Sequence, residues 1–254
     1  MPTIILAPYH LGSKSARSIS NAISGSYRIR PVNSRYVWRP HHRVVNWGRS
    51  HVSFPVALNQ AEAVQAAINK QRTWDRLSCR GIGTVSYRVD TPSAREWLNS
   101  GVVLYYRETL TGHGGNGIRV FHTVAELDEA RLPLYATYTK RFPVHREFRC
   151  TVVRDEIVLV SEKKKRTGVE ADQYVRNHAG GWVFCRNDLN PYPEAIKEQS
   201  IAAIKALGLD FGGVDIAIDK ENNTCVFEVN TAPGVEGSAV QLLAAALERA
   251  VCSS

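Results

Sequence analysis

Apolar and polar positions alternate along the chain in two ways, and together they predict a mixed α/β fold. Where apolar residues stand two apart we expect strands, because these side chains share one face of a sheet. Where they recur at intervals of three and four we expect helices. In the first quarter this gives strands at 3–7, 27–32 and 43–46 and a helix at 13–24, a small α/β unit that a linker at 53–58 ends.

Capping signals and apolar periods place the remaining elements. Asn59 is expected to cap a helix over 61–70, because Glu62 follows three residues later as in a capping box. A second capping box is formed by Thr123 and Glu126. The other elements are expected as a strand at 102–106, two strands joined by a tight turn over 146–160, and helices at 91–98, 123–130, 191–207 and 238–251.

One stretch in the C-terminal third, residues 211–234, carries the clearest chemical signal. Two apolar runs flank a polar turn, which predicts a β-hairpin. Glu228 and Asn230 stand two apart and share a sheet face, which Asp215 on the partner strand can join. Two carboxylates and an amide oxygen suit a hard cation such as Mg²⁺. The alternative is the solvent-facing side of an ordinary hairpin, but the acids stand in apolar strands, where an unpaired carboxylate is costly.

The composition is that of a globular protein, with 44% hydrophobic and 22% charged residues. No apolar run approaches the roughly 20 residues that span a bilayer, so no membrane partner is expected. The N-terminus lacks the basic start of a signal peptide. Five scattered cysteines without a Cys-x-x-Cys pair favour neither disulfides nor a zinc site, and we expect a reducing, cytoplasmic location.

Positive charge is concentrated at the N-terminus. The formal net charge is +8, and eight cations precede the first acidic residue, Glu62, whereas the rest of the chain is balanced. Such a segment should attract an anionic partner, such as a nucleic acid, a nucleotide or an acidic peptide. Aromatic residues and arginines interleave at 35–39 and 47–49, a pattern compatible with nucleic-acid binding. The alternative, which we favour, is a solvated basic surface whose aromatic side chains pack inward.

Two segments of the hairpin region resemble a known family. Val-Asp-Ile at 214–216 and Phe-Glu-Val-Asn-Thr-Ala-Pro-Gly-Val-Glu-Gly at 227–237 look like the metal-binding end of ATP-grasp enzymes, most closely the branch of the ribosomal-protein S6 glutamate ligase. The resemblance implies an α/β (α+β) ATP-grasp fold. Its implied parts are an N-terminal α/β domain at 1–58, a lid subdomain with a glycine-rich loop at 59–134, and a C-terminal subdomain with the metal site at 135–254.

The same resemblance implies where ATP would bind. Four glycines upstream of the hairpin could close their backbone N–H groups over phosphate oxygens, although a plain hairpin loop would show the same pattern. Arg107 stands where relatives usually keep a lysine, and 133–139 resembles the hinge that holds adenine through backbone groups. The nucleotide-binding residues implied in this way are Lys70, Arg107, Gly112, Gly114, Gly115, Gly117, Thr137, Tyr138, Lys140 and Lys163.

Three further positions resemble catalytic residues of the family. Glu-Phe-Arg at 147–149 is similar to the family's Asp-Ile-Arg, whose arginine faces the reacting phosphate. Arg149 is the implied counterpart, with a structural ion pair as the alternative. Arg176 and Asn177 fall in a segment similar to the family's Arg-x-Asn-x-x-x-Gly-Gly and would lie near metal, phosphate and substrate carboxylate. His178 beside them could serve as a base, or simply as a loop residue.

The resemblance implies an ATP-dependent carboxylate–amine ligase that forms an amide through an acyl phosphate. The cofactors would be ATP and Mg²⁺, the latter as two ions that Mn²⁺ could replace, and the partners a carboxylate and an amine. A nucleic-acid or anionic-ligand binding protein that keeps the fold without ligase activity is the alternative from another class, and a kinase is a third. Compact members of this kind also resemble ATP-grasp proteins of tailed phages, so a phage origin is one expectation.

Overall fold

Three β-sheets and the helices around them make up the described part of the chain, which comprises residues 2–29, 35–111, 117–186 and 189–252 of a computed structural model. Helices and strands alternate along the sequence, so the α/β class expected from the apolar periods is confirmed. The three sheets follow one another from the N-terminus to the C-terminus.

The first sheet consists of parallel strands in the order β2-β1-β3. The elements of this unit are β1 (Thr3–Pro8), α1 (Lys14–Ala22), β2 (Tyr27–Arg28) and β3 (His42–Trp47). The helix begins where the Ser13 side chain accepts a hydrogen bond from the Ala16 N–H at 3.3 Å. The strand expected over 27–32 is described for two residues only, and its remainder falls largely outside the described range.

The helix expected over 61–70 is in fact two helices, and Asn59 caps neither of them. They are α2 (Ala61–Ala67) and α3 (Lys70–Ser78), and the second begins where the Asn69 side chain accepts a backbone N–H. Asn59 is instead buried, with a left-handed φ of 61°. Its side-chain amide binds the backbone of a strand 152 positions further along the chain, a contact that local spacing does not reveal.

The middle sheet is antiparallel, with four strands in the order β4-β7-β5-β6 among the described residues. Its elements are β4 (Tyr87–Asp90), α4 (Thr91–Asn99), β5 (Leu104–Arg107), β6 (Ile118–Phe121), α5 (Val124–Glu129) and β7 (Tyr135–Lys140). The helix start expected at Thr123 is confirmed, because its side chain accepts from the Glu126 N–H, while the Glu126 carboxylate reaches one residue further back and accepts from the His122 N–H. One face of this sheet packs on α4 and α5, and its inner face is turned toward α3.

The C-terminal sheet is antiparallel, with the order β10-β9-β8-β11-β12 in the described structure. Its strands and the two helices near them are β8 (Arg146–Val153), β9 (Glu156–Lys165), β10 (Trp182–Cys185), α6 (Glu194–Leu207), β11 (Phe211–Ile218), β12 (Thr224–Asn230) and α7 (Ala239–Cys252). The sequence analysis did not predict β10. It did predict the end of α6, where Gly208 has the left-handed φ of 72° that stops a helix. Among the described helices, none is long and apolar enough to cross a membrane.

Helix packing and strand pairing cross the boundaries predicted for the domains. Both α2 and α3 lie with α6 on the C-terminal sheet, in a core that includes Val64, Leu77 and Ile204. The last helix, α7, packs instead with α1 of the N-terminal unit, and Leu243 is fully buried between them. The boundary at 134/135 falls before β7, which pairs with β5 and so joins the middle sheet. The predicted boundaries therefore stay predictions, and buried faces and backbone pairing decide which layer each segment joins.

The aromatic residues at 35–39 and 47–49, which interleave with arginines, pack inward, as in the favoured alternative. Trp47 is fully buried and stacks on Phe211, with ring centroids 5.4 Å apart. Tyr36 and Trp38 are partly buried against the face of the first sheet opposite α1, and Tyr36 stacks on His42. These rings belong to the core and are not a platform on which bases could stack.

The burial of the cysteines predicts a selective alkylation pattern. Burial raises the pKa of the Cys225 thiol to about 12 and that of Cys150 to about 11, whereas Cys79 and Cys252 are exposed. Because the thiolate is the reactive form, brief iodoacetamide treatment of the native protein at about pH 8 should label only the exposed pair of these four. Peptide mass spectrometry before and after denaturation measures the pattern, and extensive native labelling of Cys225 would contradict it.

Candidate active site between the middle and C-terminal sheets

The hairpin of β11 and β12 brings the predicted metal ligands together, and a β-bulge shapes it. Asp215 lies directly across from Glu228, and Asn230 follows two residues later on β12. After this pair the register shifts, which makes Phe227 an extra residue on β12. The strict alternation expected for β12 is therefore wrong at Val226, which lies in the core and not beside Glu228.

Asp215 is held by Arg149, its cross-strand neighbour on β8. The guanidinium Nε and Nη2 donate to the two carboxylate oxygens at 2.6 and 2.7 Å. Burial lowers the pKa of this guanidinium, but the charge and hydrogen bonds of Asp215 together with the charges of Glu228 and Glu147 outweigh burial and leave the pKa raised, so Arg149 stays charged. The predicted catalytic arginine and a predicted metal ligand thus form one ion pair. An anion that draws Arg149 away would leave the carboxylate available to a cation.

Glu228 is paired with Lys70 at the start of α3. Lys70 Nζ lies 3.1 Å from one carboxylate oxygen, and the Asn230 amide donates to the other at 3.2 Å. The backbone N–H of Lys70 also donates to the Leu110 carbonyl at 3.1 Å, close before the glycine-rich loop. Lys70 therefore contacts both the predicted metal ligand Glu228 and Leu110, which precedes the glycine-rich loop in the sequence.

The inner face of the middle sheet carries buried polar atoms without protein partners. Arg107 Nε on β5 is buried and has no hydrogen-bond partner in the described structure, and its guanidinium lies 5.4 Å from the Trp74 ring centroid. Burial lowers the pKa of Arg107. On β7 the Thr139 hydroxyl is likewise buried and unpartnered, while Thr137 accepts from the Gln71 amide at 2.7 Å. Because buried polar groups without a partner are rare, they indicate a ligand in this cleft.

A second group of charges surrounds Glu147, which the sequence analysis did not assign. The Lys163 ammonium donates to one carboxylate oxygen, and Arg176 Nη1 lies 3.6 Å from the other. Glu147 is only 4% exposed, and burial raises its pKa against the opposing effect of the two cations. Strand alternation could have revealed this residue, because Glu147 stands two before Arg149 and faces the same way. It holds two of the predicted site residues in one place.

Two aromatic side chains of β10 lie beneath the cations of the site. Phe184 contacts both Arg149 and Lys163, whose charged groups are 4.4 and 4.8 Å from its ring centroid. Trp182 lies under the Arg176 guanidinium at 3.9 Å. Each such contact contributes about 0.5–2 kcal/mol and limits the directions in which the cation can turn. The sequence analysis missed both rings because it placed no strand here.

Three predicted residues do not bring their side chains into the cleft. Tyr138 is fully buried on the opposite face of the middle sheet, against α4. Lys140 lies on that same face, with its ammonium 4.7 Å from the Trp97 ring centroid, so its contact with the nucleotide stays a prediction. Strand alternation is the reason, since only the odd-numbered residues of β7 face inward. Asn177 uses its side-chain oxygen within its own loop, where it accepts from the Gly180 N–H at 2.6 Å.

The glycine-rich loop and His178 complete the predicted set. Three of the four glycines lie outside the described residues, namely Gly112, Gly114 and Gly115. Gly117 precedes β6 with a left-handed φ of 69°, and its carbonyl accepts from the Glu108 N–H at 3.0 Å. His178 is exposed, and its carbonyl accepts from the Gly181 N–H, which agrees with the loop alternative.

The charges of the cleft fit an anionic ligand together with a hard cation. Within the described ranges, the cations outnumber the carboxylates five to three, namely Lys70, Arg107, Arg149, Lys163 and Arg176 against Glu147, Asp215 and Glu228. Excess positive charge in a largely buried cleft favours an anion. Over the same ranges no three His, Cys, Asp or Glu side chains form a metal-binding group. Mg²⁺ would depend on Asp215, Glu228, the Asn230 oxygen and phosphate oxygens, a donor set that suits this ion.

A family profile matches the C-terminal part of the chain, which forms one side of this cleft. The profile described as the RimK-like ATP-grasp domain matches residues 134–248, a range that contains every predicted metal ligand and catalytic residue. Residues 134–248 are a RimK-like ATP-grasp domain. The resemblance inferred from the hairpin is thereby confirmed, and the matched range also contains Glu147, Trp182 and Phe184.

Curated relatives of this RimK-like chain are named as ligases. Over 193 residues the chain is 38% identical to a probable α-L-glutamate ligase of Shewanella sp. strain MR-4, an alignment that covers 71% of this chain and 61% of the relative. Over 191 residues it is 27% identical to a probable α-L-glutamate ligase of Pasteurella multocida strain Pm70, covering 70% and 58%. The chain spans about three fifths of the length of these relatives.

The whole described chain has the ATP-grasp fold. It matches the ATP-grasp ligase PsnB complexed with minimal precursor, Mg and ADP, with a TM-score of 0.71 and 13% identity over 98% of this chain and 97% of that one. It also matches D-alanyl-alanine synthetase A from Vibrio cholerae, with a TM-score of 0.71 and 16% identity over 99% and 98%. At such identities the likeness concerns the fold alone, and it confirms the fold expected from the hairpin.

Proposed function

We propose that this RimK-like ATP-grasp protein is an ATP- and Mg²⁺-dependent carboxylate–amine ligase. The observation that carries the proposal is the composition of the cleft. Two carboxylates and an amide lie there beside a larger number of cations, and buried donors in the same cleft have no partner among the described residues and could bind a ligand. Phosphoryl transfer depends mainly on positioning and on cationic charge, which such a cleft supplies. The names of the curated relatives support the same class of reaction.

ATP would lie between the inner face of the middle sheet and the hairpin. Lys70 and Arg107 supply positive charge for its phosphates, and the glycine-rich loop supplies backbone N–H groups. Thr137 and Thr139 offer hydroxyls on the same face. The three hairpin ligands would hold Mg²⁺, which neutralises phosphate charge when bound and which Mn²⁺ could replace.

The reaction we propose has two balanced steps. A substrate carboxylate oxygen attacks the γ-phosphorus of ATP, the bond to the bridging oxygen breaks, and ADP leaves as an acyl phosphate forms. An amine nitrogen then attacks the acyl carbon, phosphate leaves, and the nitrogen loses a proton as the amide forms. Arg149 and Arg176 would bind the transferred group through both steps, with Glu147 and Phe184 restricting their orientation.

The substrates we propose are an amino acid or peptide that supplies the carboxylate and a second that supplies the amine. The curated relatives named as glutamate ligases support this class, whereas a nucleic-acid partner gains no support from them. Five free cysteines and the need for ATP favour the cytoplasm as the location.

Product analysis tests the proposal. With ATP and Mg²⁺, pools of amino acids and short peptides should give ADP release only when a carboxylate and an amine are both present. Mass spectrometry should find a product lighter by one water than its two substrates together, and excess EDTA should prevent its formation. ADP release that needs no amine would indicate a kinase, and salt-sensitive nucleic-acid binding without ATP consumption would favour a binding protein.

A further inference from the structure

The loop that carries Arg176, between β9 and β10, also reaches across to the middle sheet through Tyr174. The Tyr105 hydroxyl on β5 donates to the Tyr174 carbonyl at 3.1 Å. The Tyr174 ring meets His122 edge-on with centroids 4.9 Å apart, and the Arg141 guanidinium lies 5.0 Å from its centroid. One residue of the loop therefore contacts positions on or directly after three neighbouring strands, β6, β5 and β7.

The loop is braced internally, so a shift at one end reaches the other. Asp172 Oδ1 accepts from the N–H groups of Tyr174 and Val175 at 2.7 and 3.0 Å. The Asp172 carbonyl accepts from the Trp182 indole N–H at 2.7 Å. A Cβ on Gly180 would lie 2.3 Å from the Val175 carbonyl oxygen, so the loop closes on itself only with glycine there.

Arg176 depends on this loop for its orientation. Its Nη1 is 3.6 Å from Glu147, beyond hydrogen-bonding distance, and its buried Nε has no partner among the described residues. The guanidinium rests on Trp182, whose indole N–H braces the loop. Moreover Tyr105 stands two residues before Arg107, so one strand presents both the contact to the loop and a predicted phosphate-binding residue.

We propose that Tyr174 is a positioning residue that couples the middle sheet to Arg176, so that nucleotide held by this sheet fixes Arg176 on the transferred phosphoryl group. The inference rests on the proposed function, because it takes the middle sheet to bind ATP. Tyr174 acts through the loop and has no role of its own in the chemistry. Misplacement of a catalytic group by about 1 Å can lower the rate about 10²-fold. A loop that no longer holds Arg176 in position should therefore lower kcat.

Hydrogen–deuterium exchange of the loop amides tests the coupling independently of turnover. In the wild-type protein, Mg²⁺–ADP should slow the exchange of the amides over 172–180, because the sheet and the loop hold each other. Tyr174→Ala should abolish this slowing and lower kcat about 10–100-fold, while the Kd for Mg²⁺–ADP changes less than about threefold. Tyr174→Phe keeps the ring and should behave as wild type. The control Tyr27→Ala, at a side chain 41% exposed on β2 of the N-terminal sheet, should also do so.

A second variant tests the same coupling if Tyr174→Ala does not fold. Tyr105→Phe removes only the donated hydroxyl and should lower kcat about two- to tenfold, with partial loss of the loop protection. Wild-type protein that binds no nucleotide would overturn the proposed function. If nucleotide binds but the wild-type loop is not protected, or stays fully protected in Tyr174→Ala and Tyr105→Phe, the role of Tyr174 alone is overturned.

Discussion

Replacing Asp215 with asparagine, or Glu228 with glutamine, should lower Mg²⁺-dependent ADP formation at least about 10³-fold, or about 4 kcal/mol of transition-state stabilisation. Each change keeps the shape of the side chain and removes its charge. One remaining carboxylate and the Asn230 amide would hold Mg²⁺ poorly, because this ion gives up its water reluctantly. An ADP-release assay at several Mg²⁺ concentrations measures the effect.

Stability has to be followed alongside activity, because each substitution also breaks an ion pair. Asp215→Asn leaves the Arg149 guanidinium beside a neutral amide, and Glu228→Gln does the same for Lys70. Thermal unfolding separates loss of the fold from loss of the metal. Glu221→Gln, exposed in the turn of the same hairpin, is the matched control and should change neither measurement. A folded Asp215→Asn protein with more than about a tenth of wild-type turnover would remove Asp215 from the metal site.

Among the substitutions proposed for this protein, Asn59→Ala should lower the free energy of unfolding most, by about 3–6 kcal/mol. The Asn59 amide donates to the Phe211 carbonyl at 3.0 Å, and its oxygen accepts from the N–H groups of Asp210 and Phe211 at 2.8 and 3.1 Å. Alanine would leave three backbone groups without these partners at the start of β11, at about 1–3 kcal/mol for each that stays buried. Urea unfolding measures the loss from the midpoint and the slope of the transition.

Asn222 provides a control matched in backbone conformation. Its φ is 64°, against 61° for Asn59, but it is exposed in the hairpin turn. Asn222→Ala should therefore cost only the left-handed conformation, about 1–2 kcal/mol. Asn59→Gly removes the cost of the left-handed conformation but still loses the hydrogen bonds, so this variant should remain strongly destabilised. Equal shifts of the midpoint in Asn59→Ala and Asn222→Ala would show that the buried hydrogen bonds contribute little.

The expected cost at Asn59 reflects its place between two sheets. Its carbonyl accepts from the Asn46 side chain, directly before the end of β3, and its N–H donates to the Asp210 carboxylate. The N-terminal unit is thus tied to the start of β11, the strand that carries Asp215. Loss of this junction should loosen the support of the metal site as well as the fold.

The sequence by itself determined the parts that depend on near neighbours. The helix start at Thr123 and the stop at Gly208 are short-range backbone chemistry, and both stand as expected. Alternation over a few residues placed Glu228 and Asn230 near each other and Asp215 across from them. The hairpin segment also sufficed to identify the family, because its residues are determined by the ligand they would bind.

Only the tertiary structure decided the features that depend on partners far along the chain. The bulge at Phe227 directs Val226 into the core, and strand pairing sets which face of β7 lines the cleft and places Lys140 on the other face. Asn59 does not cap the helix expected after it; its side-chain amide instead donates to the backbone of a strand 152 positions further along the chain. Glu147 acquired its role only when folding brought Lys163 and Arg176 to it. In each case a buried polar group had to find a partner, and distant backbone and side chains supplied it.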